Sequence, residues 1–300
     1  VTPNDKSKVY GDPDPILDGV LEGFLLGDNV TATYSRAEGE NVGDYVISAE
    51  LSSTGALSNY AITYNTGTFT ITARPITIKA DSKTTVYGTA DLALTYEITS
   101  GTLVGSDAFT GELERVAGEN VGTYAINQGT LALSDNYDLT YVGANLTITE
   151  ATGADLDITD YIGVYDGASH SITVGNLGEA GNTVEYSEDN VAWSATKPEY
   201  MDVGEYTVYV KVTNPNYAER TGSGNVKITE RPLEITAGSA SKTYDGYPLT
   251  NDANSITGGS LAEGDRLVSV KVSGSRTEVG STPNVASDAV IKRGEEVEAF

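Results

Sequence analysis

The chain has 300 residues, no cysteine, and 43 acidic against 18 basic side chains, which gives a net charge of −25. That charge argues against nucleic acids and anionic membrane surfaces as partners. The missing cysteines exclude disulfides, thiolate metal sites and thiol catalysis. No apolar run approaches the ~20 residues of a membrane span, so no membrane insertion is expected within this sequence.

A phrase built on tyrosine and glycine returns four times along the chain. Its tyrosines follow one another at intervals of 77, 78 and 79 residues, and the last two copies carry an Asp between Tyr and Gly. A fixed period of this kind indicates one structural unit repeated in tandem. The four tyrosines are Tyr10, Tyr87, Tyr165 and Tyr244.

Other recurring phrases place the boundaries of the repeats. A Val-Gly-x-Tyr phrase, an Asn-Tyr phrase and an alternating closing stretch follow in order in the first three units, whereas the fourth lacks the later phrases. Arg-Pro dipeptides follow two of the closing stretches, where proline stops the old strand from continuing. We therefore predict domains at 1–74, 75–151, 152–231 and 232–300, the last one truncated at its C-terminal end.

Alternation of apolar residues with Thr, Ser or charged residues dominates every unit and predicts β-strands. Tyr206 to Val212 is the clearest case, with Val208, Val210 and Val212 on one face. The segment 19–28 has room for a turn or two of helix, which its glycines weaken. The predicted fold is all-β: tandem small immunoglobulin-like domains in an extended array. A β-grasp-like module is the alternative, because the units are short for a seven-stranded sandwich.

The Gly-x-Tyr phrase has a structural explanation. In Greek-key sandwiches a tyrosine near the start of a late strand donates its hydroxyl to backbone a few residues upstream, forming a tyrosine corner. We expect Gly43, Gly122 and Gly204 to supply a tight turn. The corresponding corner residues are Tyr45, Tyr124 and Tyr206.

Candidates for catalysis are weak. His170 is the only histidine, and a Ser-His-Asp arrangement with Ser169 or Ser171 lacks a nucleophile elbow and an oxyanion loop. The chain is therefore expected not to be an enzyme, with no catalytic residues and no cofactor. A covalent Lys-Asn cross-link would need a buried lysine; the recurring candidates are Lys6, Lys83 and Lys242.

Two binding features remain open. Calcium requires six to eight converging oxygens, and the best acidic candidates are Asp155, Asp157 and Asp160, although solvated carboxylates are the simpler interpretation. Trp193, the only tryptophan, lies beside a predicted hairpin turn. Packing on its own sheet competes there with stacking on a carbohydrate ligand.

The combined pattern resembles the MBG and YDG repeat modules of large bacterial surface proteins and adhesins. Repeats one and two resemble the MBG type, the third is a divergent surface repeat, and the fourth resembles the YDG type. The phrases that carry the resemblance are residues 6–12, 82–88, 117–124, 136–140 and 242–246.

This resemblance implies a non-enzymatic, extracellular, cell-surface or secreted protein. The preferred function is the stalk or spacer of an adhesin, a monomeric rod that projects a distal domain. One alternative is a module that binds glycan or protein from a host or a neighbouring cell. Another is an accessory region of a secreted polysaccharide-degrading enzyme.

Overall fold

A computed structural model describes residues 1–55 and 57–294 of the chain. These residues form 23 β-strands and two short 3₁₀ helices, Leu26–Asp28 and Leu57–Asn59, with no α-helix among them. The all-β prediction is confirmed. The chain divides into two compact units, residues 1–151 and 152–300, and each unit contains two of the sequence repeats.

None of the helices in the described residues is long and apolar enough to cross a membrane.

The first repeat is a four-stranded sheet in the order β2-β6-β5-β4, flanked by the short pair β1-β3. Its last strand, β6, runs parallel to its first long strand, β2, and antiparallel to β5. The strands are β1 Thr2–Pro3, β2 Lys6–Val9, β3 Gly19–Val20, β4 Thr31–Arg36, β5 Gly43–Ser52 and β6 Gly67–Thr72.

The second repeat keeps this plan and adds a three-stranded sheet. Its main sheet has the order β10-β11-β13-β8, and the second has the order β12-β7-β9 with β7 parallel to β12. The strands are β7 Arg74–Ala80, β8 Lys83–Val86, β9 Tyr96–Ser100, β10 Glu114–Arg115, β11 Gly122–Asn127, β12 Tyr137–Val142 and β13 Ala144–Thr149.

The second unit repeats the parallel closure in its first half. The third repeat has the sheet β15-β19-β18-β17 with β15 parallel to β19, and the separate pair β14-β16. The fourth repeat contains only the pairs β20-β21 and β22-β23 among its described residues. The strands are β14 Asp157–Thr159, β15 Tyr161–Val164, β16 Thr173–Gly175, β17 Thr183–Ser187, β18 Gly204–Asn214, β19 Tyr217–Thr229, β20 Leu233–Ala237, β21 Asn254–Gly259, β22 Asp265–Ser273 and β23 Val285–Arg293.

Each of the first three repeats has its own apolar core, built from the inward side of the alternating strands. In β18 the valines at alternate positions are at most 1% exposed, which confirms the strand and its predicted face. The fourth repeat contributes only Ala262 to the buried apolar residues of the described chain. The buried residues of the three core clusters are Ile47, Phe69 and Ile71; Ala80, Ile126, Leu146 and Ile148; and Ile172, Val208, Val210, Val212, Val226 and Ile228.

The segment 19–28 is not an α-helix. It contains the short strand β3 and a single 3₁₀ turn at Leu26–Asp28. Gly23 within it has a φ of +82°, a left-handed conformation that interrupts a right-handed helix.

Candidate functional site

The tyrosine of the first Tyr-Gly phrase lies against the second repeat. The Tyr10 hydroxyl donates to Asp107 Oδ2 at 3.0 Å, and the Tyr137 hydroxyl donates to the same oxygen at 2.7 Å. The two rings meet edge to face, with centroids 5.5 Å apart. The hydrogen bond to Asp107, followed by burial, raises the pKa of Tyr10, and burial followed by Asp107 raises the pKa of Tyr137. One carboxylate thus joins the two repeats.

Glycine follows Tyr10 for a steric reason. Gly11 has a φ of +81°, and a Cβ placed on it would lie 2.4 Å from Val104 Cγ2 in the second repeat. Arg74 holds the same loop, because its Nε donates to the Tyr10 carbonyl at 2.7 Å and its guanidinium pairs with Asp12. The Tyr-Gly and Arg-Pro phrases therefore build one joint between repeats.

The Asn-Tyr phrase completes this joint from the other side. Asn136 Oδ1 accepts the Val42 backbone N–H at 2.9 Å, and its Nδ2 donates to Asn41 Oδ1 at 3.0 Å. The turn before the Val-Gly-x-Tyr phrase of the first repeat is thereby bonded to the second repeat.

The second unit contains a joint of the same chemistry. The Tyr165 hydroxyl donates to Asp265 Oδ1 at 3.2 Å and accepts from Arg293 Nη1 at 3.0 Å. Arg231, which corresponds to Arg74, donates to the Tyr165 carbonyl at 3.3 Å. Burial, followed by Asp265, raises the pKa of Tyr165. Arg293 also lies 4.0 Å from Asp265 Oδ1, so an arginine is the third group of this joint where the first unit has a second tyrosine.

A cleft of about 340 Å³ opens beside this second joint, between the third and fourth repeats. Its wall includes Tyr165, Arg231 and Asp265, together with apolar side chains such as Leu261 and Ile291. The joint is thus a surface feature with both charged and apolar groups.

The acceptor aspartates of the joints were missed at the sequence level, although a signal was present. Each follows an apolar pair and comes three residues after its second member. Because the glycine spacing inside the loop varies, no single motif covers all copies. The two joint acceptors follow Leu103-Val104 (Asp107) and Leu261-Ala262 (Asp265), and the first repeat has the same phrase at Phe24-Leu25 with Asp28, which bonds a tyrosine of its own repeat.

The three predicted tyrosine corners are present. Each hydroxyl donates to the backbone carbonyl four residues upstream, and each ring is half-buried. The bonds run from Tyr45 to Asn41 at 2.8 Å, from Tyr124 to Asn120 at 2.7 Å, and from Tyr206 to Asp202 at 3.2 Å.

The glycines predicted to supply the turn at these corners differ in backbone conformation and in contacts. Of Gly43, Gly122 and Gly204, only Gly43 has a positive φ, of +148°. The close approach falls on Gly39 and Gly118, where a Cβ would lie 2.2 and 2.0 Å from the ring of the corner tyrosine. In the first two repeats the ring folds back over the glycine four residues upstream of the predicted one, because the hydroxyl must reach that turn. In the third repeat the predicted glycine is itself the close contact, since a Cβ on Gly204 would lie 2.8 Å from Tyr206 Cζ.

His170 does not form a catalytic triad. Its Nε2 contacts both Asp166 Oδ1 at 2.9 Å and the Tyr161 hydroxyl at 3.0 Å, and its ring stacks on Tyr161. The Ser171 hydroxyl donates instead to the Pro198 carbonyl at 2.6 Å. A triad requires a serine hydroxyl on one imidazole nitrogen and a carboxylate on the other, whereas here the carboxylate and a tyrosine share Nε2 and Ser171 bonds elsewhere. Ser169 adjoins this pair in sequence without taking part in it.

Trp193 is half-buried, and a cation lies over its ring. Lys211 Nζ is 4.5 Å from the ring centroid and pairs with Glu185 at 2.8 Å. This cation–π contact occupies one face of the indole, the kind of face on which a sugar would stack. The arrangement favours packing on its own sheet.

The three aspartates Asp155, Asp157 and Asp160 lie at exposed positions near β14. Asp160 accepts the Asn225 backbone N–H at 2.8 Å. Within the described chain, no three acidic or histidine side chains converge so that they could hold a metal ion. The structure therefore does not bring the three candidates together as ligands.

The candidate lysines do not form a buried cross-linking site. Lys6 pairs with Asp18 at 2.9 Å, but Asp18 is 55% exposed. Lys83 donates to Thr95 at 2.6 Å, and Lys242 pairs with Asp245 at 2.8 Å. The most buried of the paired lysines is a different one: Lys8 is 5% exposed and contacts two carboxylates.

Comparison with solved structures returns multidomain chains at low similarity. PcdhgB3 EC1–4 is 11% identical with a TM-score of 0.28, covering 97% of this chain and 99% of that one. Drosophila OTK extracellular domains 3–5 are 12% identical with a TM-score of 0.27, covering 63% and 71%. Mouse cadherin-23 EC22–24 is 10% identical with a TM-score of 0.22, covering 76% and 99%. No curated protein matches the chain.

The family comparison is specific to the first unit. The profile of the MBG domain (YGX type) matches residues 1–70 and again residues 76–147. The two matches coincide with the two repeats joined by Tyr10 and Asp107, and they contain the Tyr-Gly phrases at Tyr10 and Tyr87. The first two repeats of this chain therefore match the MBG domain (YGX type) as two tandem copies.

Proposed function

We propose that this chain is a non-enzymatic spacer of an extracellular bacterial protein, in which docked joints between repeats hold a distal domain away from the cell surface. The observation that carries the proposal is the recurrence of one joint. In both units a tyrosine of one repeat donates to an aspartate of the next, and an Arg-Pro arginine holds the tyrosine's carbonyl.

The charge supports the same role. A net charge of −25 keeps copies of a surface protein apart and in solution. The third-repeat features that would favour a ligand site have local partners: Trp193 lies under Lys211, and His170 contacts Asp166 and Tyr161. No feature that recurs in both units, as the joint does, supports a glycan- or protein-binding role or a role as an accessory region of a secreted enzyme.

Small-angle X-ray scattering on the wild-type chain and on a joint variant tests this function. The variant carries Tyr10→Phe and Tyr165→Phe, which remove both tyrosine-to-aspartate hydrogen bonds and keep the rings. A spacer predicts an elongated wild-type particle and a broader distribution of interatomic distances for the variant. A compact wild-type particle, or identical curves, would contradict the spacer function.

A further inference from the structure

The aspartate and tyrosine that receive Tyr10 in the second repeat have counterparts in the first repeat, Asp28 and Tyr60, on which no other repeat docks within the described part of the chain. The Tyr60 hydroxyl donates to Asp28 Oδ2 and accepts the Leu25 N–H at 3.1 Å. The Tyr137 hydroxyl makes the same two bonds in the second repeat, with Asp107 and with the Val104 N–H at 2.8 Å. The first repeat therefore carries a built acceptor site for a second tyrosine hydroxyl.

The sites around Asp28 and Asp107 differ in how exposed their apolar neighbours are. Val104 is half-buried, because Gly11 and its loop lie against it. Leu25, at the corresponding position, is 71% exposed, and the next residue, Leu26, is 98% exposed. In the described part of the chain, Asp28 receives one tyrosine hydroxyl where Asp107 receives two. Leu25 and Leu26 thus face solvent beside Asp28 and Tyr60, which are half-buried.

The backbone beside this acceptor supports the same comparison. In the second repeat the Asn-Tyr phrase opens β12, which pairs in parallel with β7, the strand that begins at Arg74. In the first repeat residues 61–66 are not in a strand, and Tyr64 is 54% exposed. Val1 covers part of this edge, because its amine donates to the Thr63 carbonyl at 2.9 Å and its carbonyl accepts the Asn65 N–H at 3.0 Å. Residues 60–62, whose counterparts in the second repeat pair with β7, have no covering strand in the described part of the chain.

We propose that this face, formed by Leu25, Leu26, Asp28 and residues 60–63, docks the C-terminal end of another YGX-type repeat. The incoming Tyr-Gly loop would place its tyrosine hydroxyl on Asp28 and its glycine on Leu25. The Arg-Pro segment after the closing strand of that repeat would pair along residues 60–63, in line with Val1, which already bonds to Thr63 and Asn65. The proposal rests on the joint geometry and not on the spacer role.

The chain itself supplies the probe. Residues 1–77 are fused directly before Val1, which keeps the 77-residue period between the added Tyr10 and the native Tyr10. Because the chain has no cysteine, Leu25→Cys gives a single thiol whose reaction with a neutral maleimide reports exposure. The thiol is placed either in the native repeat or in the added copy, which serves as the matched undocked control.

Docking predicts that the native-repeat thiol reacts about tenfold more slowly than the added-copy thiol, because labelling then waits for local opening. Tyr10→Ala in the added copy alone should restore the fast rate, which separates docking from simple crowding by the fused repeat. A Val104→Cys thiol provides the rate of a docked position.

Equal rates at the two Leu25→Cys positions, with Val104→Cys slow, would overturn the proposal. The proposal would also be overturned if the unextended chain self-associates and the Asp28→Asn variant does not, because a second copy of the chain would then occupy this face. The scattering test of the spacer role uses the unextended chain, so the two can fail independently.

Discussion

Asp107 holds two tyrosine hydroxyls on one carboxylate oxygen and is the side chain on which the first joint depends. Asp107→Ala leaves both hydroxyls without their acceptor in a partly buried place. We expect a loss of about 1–3 kcal/mol in the free energy of unfolding. Urea unfolding followed by far-ultraviolet circular dichroism measures it, because the only tryptophan, Trp193, lies in the other unit.

Asp138→Ala is the matched control for this substitution. Asp138 lies at an exposed position on β12, next to Tyr137. An exposed substitution of this kind should change stability by no more than about 0.5 kcal/mol. Equal losses at the two positions would contradict the structural role given to Asp107.

Gly118 is the residue on which the second tyrosine corner depends. A Cβ there would lie 2.0 Å from Tyr124 Cε1, and the φ of +158° also disfavours a side chain. Gly118→Ala should displace the ring, break its bond to Asn120 and cost about 1–3 kcal/mol. Gly178→Ala is the control, because a Cβ there would have no atom within 4 Å, and it should leave stability nearly unchanged in the same denaturation assay. A Gly118→Ala variant as stable as the wild type would refute the packing argument.

At the scale of elements, a charged network ties the loop after β2 to the ends of β2 and β4. Asp14 contacts Arg36 Nε at 2.5 Å and Lys8 Nζ at 2.6 Å, and Glu40 contacts the same Lys8 at 2.5 Å. The hydrogen bonds from Arg36 and then Lys8 lower the pKa of Asp14 to about 2. The network is thus strongest when Asp14 is ionised.

This shift has a definite consequence for pH dependence. A carboxylate with a lowered pKa in the folded state stabilises the fold above its unfolded value of 3.8 and loses that contribution as pH falls toward about 2. Asp14→Asn should therefore reduce stability at pH 5 and have little effect near pH 2. The urea midpoints of the wild type and of Asp14→Asn, measured between pH 2 and pH 5, test this prediction. A difference between the two midpoints that stays constant with pH would show that the charge of Asp14 does not contribute to stability.

At the scale of the whole molecule, excess negative charge opposes folding. Acidic residues outnumber basic ones by 43 to 18, so self-repulsion outweighs the attraction within the ion pairs. Salt screens both the repulsion and the attraction, with a Debye length of about 10 Å at 0.1 M. Because the repulsion is the larger of the two, we expect its screening to determine how stability changes with salt. We expect the melting temperature to rise as NaCl increases from about 10 to 300 mM, because repulsion is screened.

Calorimetry or circular dichroism would measure the salt effect. Sodium and potassium chloride serve as mutual controls, since screening does not depend on which monovalent cation is used. A melting temperature that falls with either salt would mean that the ion pairs, such as those of Lys8 and Arg36, contribute more than the net charge removes.

The sequence by itself determined the period, the alternating strands and the tyrosine corners. These follow from local rules: side chains alternate across a strand, and a corner hydroxyl reaches only a few residues back. It also identified the MBG resemblance of the first two repeats, which the family comparison confirms.

Only the tertiary structure decided what the Tyr-Gly phrase does. Tyr10 and Asp107 are 97 residues apart in sequence, and no periodicity shows that a loop of one repeat fits the next. The same holds for Gly39 and Gly118, whose need for glycine arises from a ring that folds back over them. Strand patterns are set by neighbours along the chain, whereas joints and close approaches are set by packing between distant segments.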